Sequence, residues 1–172
     1  MKISELETER LVLKSPTVKD ALNYSKAEVS YYSTGKINTE EKAKNYIRKK
    51  LRDKNSFEVG MFLKSNGKLI GILEIDHMHW FDFEAGELTS HIKKKYTRMG
   101  YGTEAARELI KYCFSKMKFH KMYADTDSDN IAGQKSLEKL GFKLEGVIRE
   151  KHKKKGKRFD ELDYGLFEKE LK

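Results

Sequence analysis

Between residues 97 and 105 the chain reads TRMGYGTEA, and from there its apolar residues recur every three or four positions: Ala105, Ala106, Leu109, Ile110, Cys113, Phe114 and Met117. That repeat gives a helix one apolar stripe and leaves Glu104, Arg107, Glu108 and Lys111 on its outer side. Such a helix is stable only against another layer, which the rest of the chain must supply. Gly100 and Gly102 lack a Cβ, so the turn ahead of the helix can fold tightly and aim its N–H groups at oxygen atoms. The positive end of the helix dipole adds to them, and together they make a site for phosphate.

Two other phosphate loops compete for this segment. GYGTEA fits the dinucleotide pattern GxGxxG/A, with Asp125 about 20 residues on, where a ribose-binding acid is expected. That fold needs a hydrophobic strand running into the first glycine, whereas the approach here is Lys93, Lys94, Lys95, Tyr96, Thr97 and Arg98, too charged for a buried parallel strand. A nucleoside-triphosphate loop needs GxxxxGK[ST], which does not occur. A helix that merely begins after a glycine turn is the plain alternative.

The other elements follow from local signals. RLVLK at Arg10 to Lys14 alternates as a strand closed by Pro16, and Thr17 with Asp20 opens a helix through Lys26. A second helix begins after Thr39 with Ala43, Tyr46, Ile47 and Leu51 on one face. Phe57 to Leu63 and Leu69 to His77 flank the turn signal Ser65, Asn66, Gly67 and predict an antiparallel hairpin, followed by a strand at Glu87 to Ile92. After the amphipathic helix come a strand at Lys121 to Thr126 and a short helix capped by Asn130, carrying Ile131, Leu137 and Leu140 and ended by Gly141. Leu144 to His152 and Arg158 to Phe167 form a last hairpin. Strands first, then helix, strand, helix and hairpin predict a mixed α/β layer and not a doubly wound parallel sheet.

Length and composition predict a single domain over residues 1–172, without linker, repeat, membrane span or signal peptide, and a soluble, cytoplasmic protein. Lysine and arginine number 36 against 27 acidic residues, a net charge of +9 that favours anionic partners: nucleic acid, a ribosomal surface or a polyphosphate ligand. The densest block, KHKKKGKR at Lys151 to Arg158, reads as an RNA or acidic-protein contact, or as a solvated hairpin turn around Gly156. Cys113, the only cysteine, lies on the buried stripe and excludes a disulfide framework.

Four segments, ETERLVLK at 7–14, GKLIGILEI at 67–75, TRMGYGTEA at 97–105 and DNIAGQKSLEKLGFKLEG at 129–146, together resemble the GNAT superfamily of acetyl-CoA dependent N-acetyltransferases. The resemblance is particularly to its ribosomal-protein N-terminal acetyltransferase and spermidine acetyltransferase branch, and it covers nearly the whole chain. It implies a mixed, mostly antiparallel central sheet with a splayed pair of strands and helices on both faces. It also implies that Arg98, Met99, Gly100, Tyr101, Gly102 and Thr103 wrap the pyrophosphate of acetyl-CoA, with the strand ending near Ile92 splaying from Met122 to Thr126 to admit the pantetheine arm. Asn130 matches an asparagine that approaches the arm from the far side, besides its reading as an N-cap. The chain departs from the pattern at Thr97, usually Gln or Arg; at Arg98, usually Gly; at Leu137, where many relatives carry a tyrosine general acid; and at Gly133, often Ser.

Transfer from a thioester to an amine needs a neutral amine at the carbonyl carbon, stabilisation of the oxyanion and a leaving thiol. A backbone N–H near Ile92 serves the oxyanion, and holding the reactants in line can supply roughly 7 to 11 kcal/mol. A carboxylate whose pKa is raised by burial can take the ammonium proton through water. Glu87 is the first candidate, as base or amine anchor, and Glu74 the second; each is otherwise an ordinary strand carboxylate. Without the tyrosine, the thiolate leaves with water as proton source, or Ser136 or Tyr164 supplies the acid. His77, His79 and Trp80 are candidates for a wall of the acceptor site, with loop packing as the alternative, and Lys26 to Thr39 falls where acceptor-binding helices lie. No metal is expected, since the histidines lack a third ligand.

The expected partners are acetyl-CoA and an amine acceptor, with a protein N-terminus ahead of a polyamine or other small amine because a basic chain suits a polycation poorly. A ribosomal protein as acceptor and a homodimer are further candidates; a membrane is not. A reading from another class is a non-catalytic basic RNA- or ribosome-binding module on the same fold.

Overall fold

The alternating run that predicts the first strand forms β2 (Leu11–Lys14), and a two-residue β1 (Leu6–Glu7) pairs with it antiparallel in a computed structural model that describes residues 3–25, 37, 39–80 and 83–172. After Pro16 the Asp20 carboxylate accepts from the Thr17 backbone N–H at 2.8 Å, and a single 3₁₀ turn leads into α1 (Ala21–Ser25). Thr39 caps α2 (Glu40–Arg52) by accepting from the Lys42 N–H. The hairpin of β3 (Ser56–Leu63) and β4 (Leu69–Trp80) turns at Gly67, whose φ of 66° lies in the left-handed region. β5 (Phe83–Ile92) follows, then α3 (Tyr101–Ser115), β6 (Lys121–Asp127), α4 (Ile131–Leu140), β7 (Lys143–Lys154) and β8 (Lys157–Phe167).

The described strands form one eight-stranded sheet in the order β1-β2-β3-β4-β5-β6-β8-β7, antiparallel throughout except where β5 meets β6. On one face lie α3 and α4. Ala105, Ala106, Leu109, Ile110, Cys113 and Phe114 of α3 pack with Leu137 and Leu140 of α4 against Val59, Met61, Leu73, Ile75, Met122 and Leu166 of the sheet. Full burial of each large aliphatic side chain there contributes about 1.5–3 kcal/mol. On the other face Ala21 and Tyr24 of α1 and Ala43, Tyr46 and Ile47 of α2 cover Phe62, Leu69 and Ile72. Met61 and Phe62, adjacent on β3, serve opposite layers as strand alternation requires, and the register against β4 shifts between them.

β4 and β5 run further than the sequence predicts, to Trp80 and back to Phe83, because ten consecutive cross-strand pairs from Gly71–Ile92 to Trp80–Phe83 hold a stretch whose side chains show no clean alternation. The terminal hairpin is longer for the same reason. Its turn residues Lys155 and Gly156 have φ of 48° and 83°, the left-handed pair that a tight two-residue hairpin requires. Cys113 is fully buried, and burial pushes its thiol up to about 12, consistent with a packing role.

Candidate active site

The glycine turn stands at the head of α3. A 3₁₀ turn at Lys94–Tyr96 carries the chain out of β5, and the Thr97 hydroxyl closes it by donating to the Lys94 carbonyl at 2.8 Å. Arg98 then adopts φ of 61° and Gly100 φ of 83°. Arg98 thus sits in the left-handed region, at a cost of about 1–3 kcal/mol for a residue with a Cβ. Gly100 is the N-cap of α3 and offers no side-chain acceptor to the first-turn amides, which stay open to an anion. Gly102 lies against the end of β5; a Cβ there would come within 3.2 Å of the Ile92 side chain.

Two residues that the sequence does not single out fix this turn. Glu104, expected on the outer side of α3, has only 17% of its side chain exposed and accepts from the Thr8 hydroxyl at 2.5 Å, the Arg10 backbone N–H at 2.9 Å and the Arg10 Nε at 2.6 Å. Arg10 also donates to the Met99 carbonyl at 3.1 Å and stacks 4.2 Å from the centre of the Tyr101 ring. Burial pulls the Glu104 carboxyl up, and these hydrogen bonds with the Arg10 charge outweigh it and hold it below the ordinary glutamate value. A Thr-x-Arg placed before the first core strand and a Glu in the first turn of α3 were the available signals, but nothing local joins them.

Beside the turn the sheet opens. β5 and β6 pair in parallel only at Ala85–Lys121, Gly86–Met122 and Glu87–Tyr123; beyond that Leu88 to Ile92 and Ala124 to Asp127 have no ladder between them. Glu87 stands at the fork. A cleft of about 330 Å³ lies there, lined by Met78, Glu87, Tyr123, Ala124, Asp125, Glu145, Gly146, Asp163 and Tyr164.

Register places a row of carboxylates on the sheet face covered by α1 and α2. Glu58 lies opposite Glu74, Asp76 opposite Glu87, Glu87 opposite Tyr123, and Asp125 opposite Asp163. Residues opposite each other, or two apart on one strand, share a face. Glu58, only 4% exposed, accepts from the Tyr24 and Tyr46 hydroxyls; burial, against those hydrogen bonds and with the Glu74 charge, raises it to about 7. Glu74 is ion-paired with Lys50 of α2. Burial and then the Asp125 charge push Glu87 up to about 7, and burial with neighbouring carboxylates raises Asp76 and Asp163 as well. The chain is basic overall, yet this face is acidic, which removes the charge argument against a polycationic acceptor.

The other candidates lie as follows. The Asn130 carbonyl oxygen accepts from the Gly133 N–H at 3.1 Å, and its amide donates to the Thr126 hydroxyl at 2.9 Å, joining α4 to β6. A Cβ at Gly133 would stand 2.5 Å from that amide nitrogen, so the cap in this geometry needs glycine there. His77 is on the opposite face from Glu87, its ring 4.8 Å from that of Phe119 and its Nε2 2.5 Å from Glu84, so it does not join the carboxylate row. His79 and Trp80 are placed as the end of β4, and their side chains lie outside the described residues. Lys26 to Thr39 also lies outside them, save Ile37 and Thr39. Leu137 is buried in the core, and Tyr164 contributes to the cleft whereas Ser136 does not. The basic block is the tip of the β7–β8 hairpin, with Lys151 paired to Glu161 and Lys154 to Asp127 at 2.5 Å and Asp129 at 3.2 Å. Among the described residues no group of three or more His, Cys, Asp or Glu side chains is arranged to hold a metal ion.

Residues 10–143 match the family described as acetyltransferase (GNAT) domain. The chain is 28% identical over 169 residues to the uncharacterized N-acetyltransferase YnaD of Bacillus subtilis (strain 168), covering 96% of this chain and 98% of that one. Among solved structures it is similar to an acetyltransferase of the GNAT family from Bacillus anthracis, with 26% identity, a TM-score of 0.78 and coverage of 97% and 100%. It is similar in fold to the ribosomal-protein-S5-alanine acetyltransferase from Vibrio fischeri, with 19% identity, a TM-score of 0.84 and coverage of 99% and 100%.

Proposed function

The chain belongs to the GNAT family of acetyltransferases, enzymes that draw on acetyl-CoA, and we propose that it transfers the acetyl group to a primary amine with Glu87 as the base. The observation that carries this reading is the fork itself: β5 and β6 part at Glu87, beside a helix start with uncapped amides. The amides of Tyr101, Gly102 and Thr103, with Arg98 and Met99 on the approach, hold the pyrophosphate. The freed edge of β5 toward Ile92 pairs with the pantetheine arm, and Asn130 reaches it from β6's side. Gly102 fits this role because a side chain there would fill the space beside Ile92.

The amine arrives as an ammonium ion drawn by the carboxylate row. Glu87 takes one proton, directly or through water, and the freed nitrogen attacks the thioester carbonyl carbon. A backbone N–H of β5 beyond Glu87 stabilises the oxygen as charge develops. The N–C bond forms, the C–S bond breaks, and the thiolate, with a pKa near ~8.5, leaves and takes a proton from water. The ammonium thus loses two protons, one ending on CoA and one in solvent. Leu137 cannot donate, so the step runs without a tyrosine acid at that position. Glu74 is the weaker candidate for base because Lys50 already engages it.

In this reading the acceptor is a protein N-terminus; a ribosomal-protein-S5-alanine acetyltransferase shares the fold. A polyamine is a second reading, favoured by Glu58, Glu74, Asp76, Glu87, Asp125 and Asp163 on one face. Mass spectrometry after incubation with acetyl-CoA and a panel of peptides, polyamines and other amines tests both. A mass gain of one acetyl group on a peptide N-terminus or a polyamine is expected; acetyl-CoA binding with no amine modified sinks the catalytic reading.

A further inference from the structure

Glu87 does not stand alone at the fork. Its opposite residue on β6 is Tyr123, and Asp125, two positions further along the same strand, faces the same side of the sheet where β6 has already parted from β5. Both side chains line the same cleft of about 330 Å³, although no ladder joins the strands at that point. Two carboxylates cannot share a hydrogen bond unless one carries a proton.

We propose that Asp125 is a positioning residue for Glu87: its carboxylate accepts a hydrogen bond from the protonated Glu87 carboxyl across the fork of β5 and β6, and so fixes the direction in which the base carries its proton. This rests on the reading of Glu87 as the base. When the proton leaves the ammonium nitrogen for Glu87, the new O–H turns toward Asp125 and away from the amine, leaving the nitrogen lone pair free to attack. The proton then passes to solvent, to which Asp125 is exposed.

The surroundings favour that arrangement. Asp76 faces Glu87 from β4, Tyr123 and Asp125 from β6, Glu161 and Asp163 from β8, and Glu145 from β7. Nearby lysines among the described residues are paired with other carboxylates: Lys121 with Glu145 at 2.7 Å, Lys151 with Glu161, and Lys50 of α2 with Glu74. Burial, with the Asp125 charge beside it, pushes the Glu87 carboxyl up to about 7.

The test is Asp125→Asn in the full chain, read in two ways. The Glu87 side-chain carboxyl is titrated by carbon NMR in the ligand-free protein, and the pH profile of kcat/KM is measured with an amine that the panel identifies. Asparagine does not carry the charge and can donate to the Glu87 carboxylate. The Glu87 midpoint and the acid limb of the profile should therefore both fall by about one pH unit. kcat should fall several-fold at an unchanged KM for acetyl-CoA and an unchanged thermal melt, and Asp125→Glu should restore part of it. A Glu87 midpoint and acid limb that stay in place in Asp125→Asn overturn the proposal. If no amine is acetylated by the wild-type protein, the reading of function fails on its own, and the NMR titration still decides the role of Asp125.

Discussion

Arg10 holds Glu104 across 94 residues of sequence, its Nε and Nη2 each 2.6 Å from one carboxylate oxygen. The contact ties the residue just ahead of β2 to the first turn of α3, while the same guanidinium donates to the Met99 carbonyl and covers the Tyr101 ring. The edge of the sheet is thereby fastened to the glycine turn.

Glu104→Gln should lower stability by about 1 kcal/mol near neutral pH, a modest figure because Arg10 is 40% exposed and solvent screens the pair. Since the folded carboxyl sits below its ordinary value, its contribution is present above the unfolded pKa and is lost as pH falls through the folded one. Denaturant titrations at several pH values should show the gap between wild type and variant closing in acid. Arg10→Ala should add little in a double-mutant cycle.

Gly102→Val places a branched side chain against Ile92, where a bare Cβ already comes within 3.2 Å. The turn must shift, and acetyl-CoA affinity measured by calorimetry should fall at least about tenfold, equivalent to roughly 1.4 kcal/mol. An unchanged affinity would remove the pyrophosphate from this turn.

Arg98→Gly should relieve the left-handed backbone at φ of 61°. A gain of up to about 1 kcal/mol in stability is expected, part of it offset by the larger backbone entropy of glycine in the unfolded chain. Thermal melts check this, and an acetyl-CoA affinity that drops at low salt would reveal the contribution of the lost charge.

Glu87→Gln should lower kcat by about 10² to 10⁴, the usual loss for a proton-transfer group, with KM for acetyl-CoA little changed. In the wild type kcat/KM should rise as pH passes through about 7, where Glu87 gives up its proton. Glu74→Gln should instead act through Lys50 and leave the acid limb where it is.

Glu58→Gln separates a structural carboxyl from a chemical one. The folded value of Glu58 is raised from its ordinary 4.5 to about 7, so the wild-type protein loses stability as pH rises between those two values. The glutamine variant can still accept from a tyrosine hydroxyl, and its stability should lack that part of the slope and match or exceed wild type at pH above about 7. Glu58→Ala, which leaves the Tyr24 and Tyr46 hydroxyls without their acceptor, should cost roughly 2–4 kcal/mol.

How far the site could be read in advance varies residue by residue. Gly100, the apolar stripe of α3, the Gly67 turn and the Gly141 helix stop are each specified within a few residues, and the structure has them where those signals lie. Glu87 and Glu74 could be named as carboxylates on strands, but nothing local separates a glutamate at the fork of β5 and β6 from one paired to Lys50. Alternation puts His77 and His79 on one face of β4 but does not say which face; His77 lies against Phe119, and the His79 side chain lies outside the described residues. Net charge misled most: it averages over a chain whose acidic residues are gathered across several strands.

The sequence by itself determined the order of helices and strands, the glycine turn and the family, because periodicity, caps and turn residues act over one or two turns of chain. Only the tertiary structure decided that β5 and β6 part at Glu87, that Asp125 lines the same cleft, and that Arg10 finds Glu104. Those relations depend on cross-strand register and on the packing of α3 against the sheet. A one-residue slip of strand register would turn the same strand side chains to the opposite face.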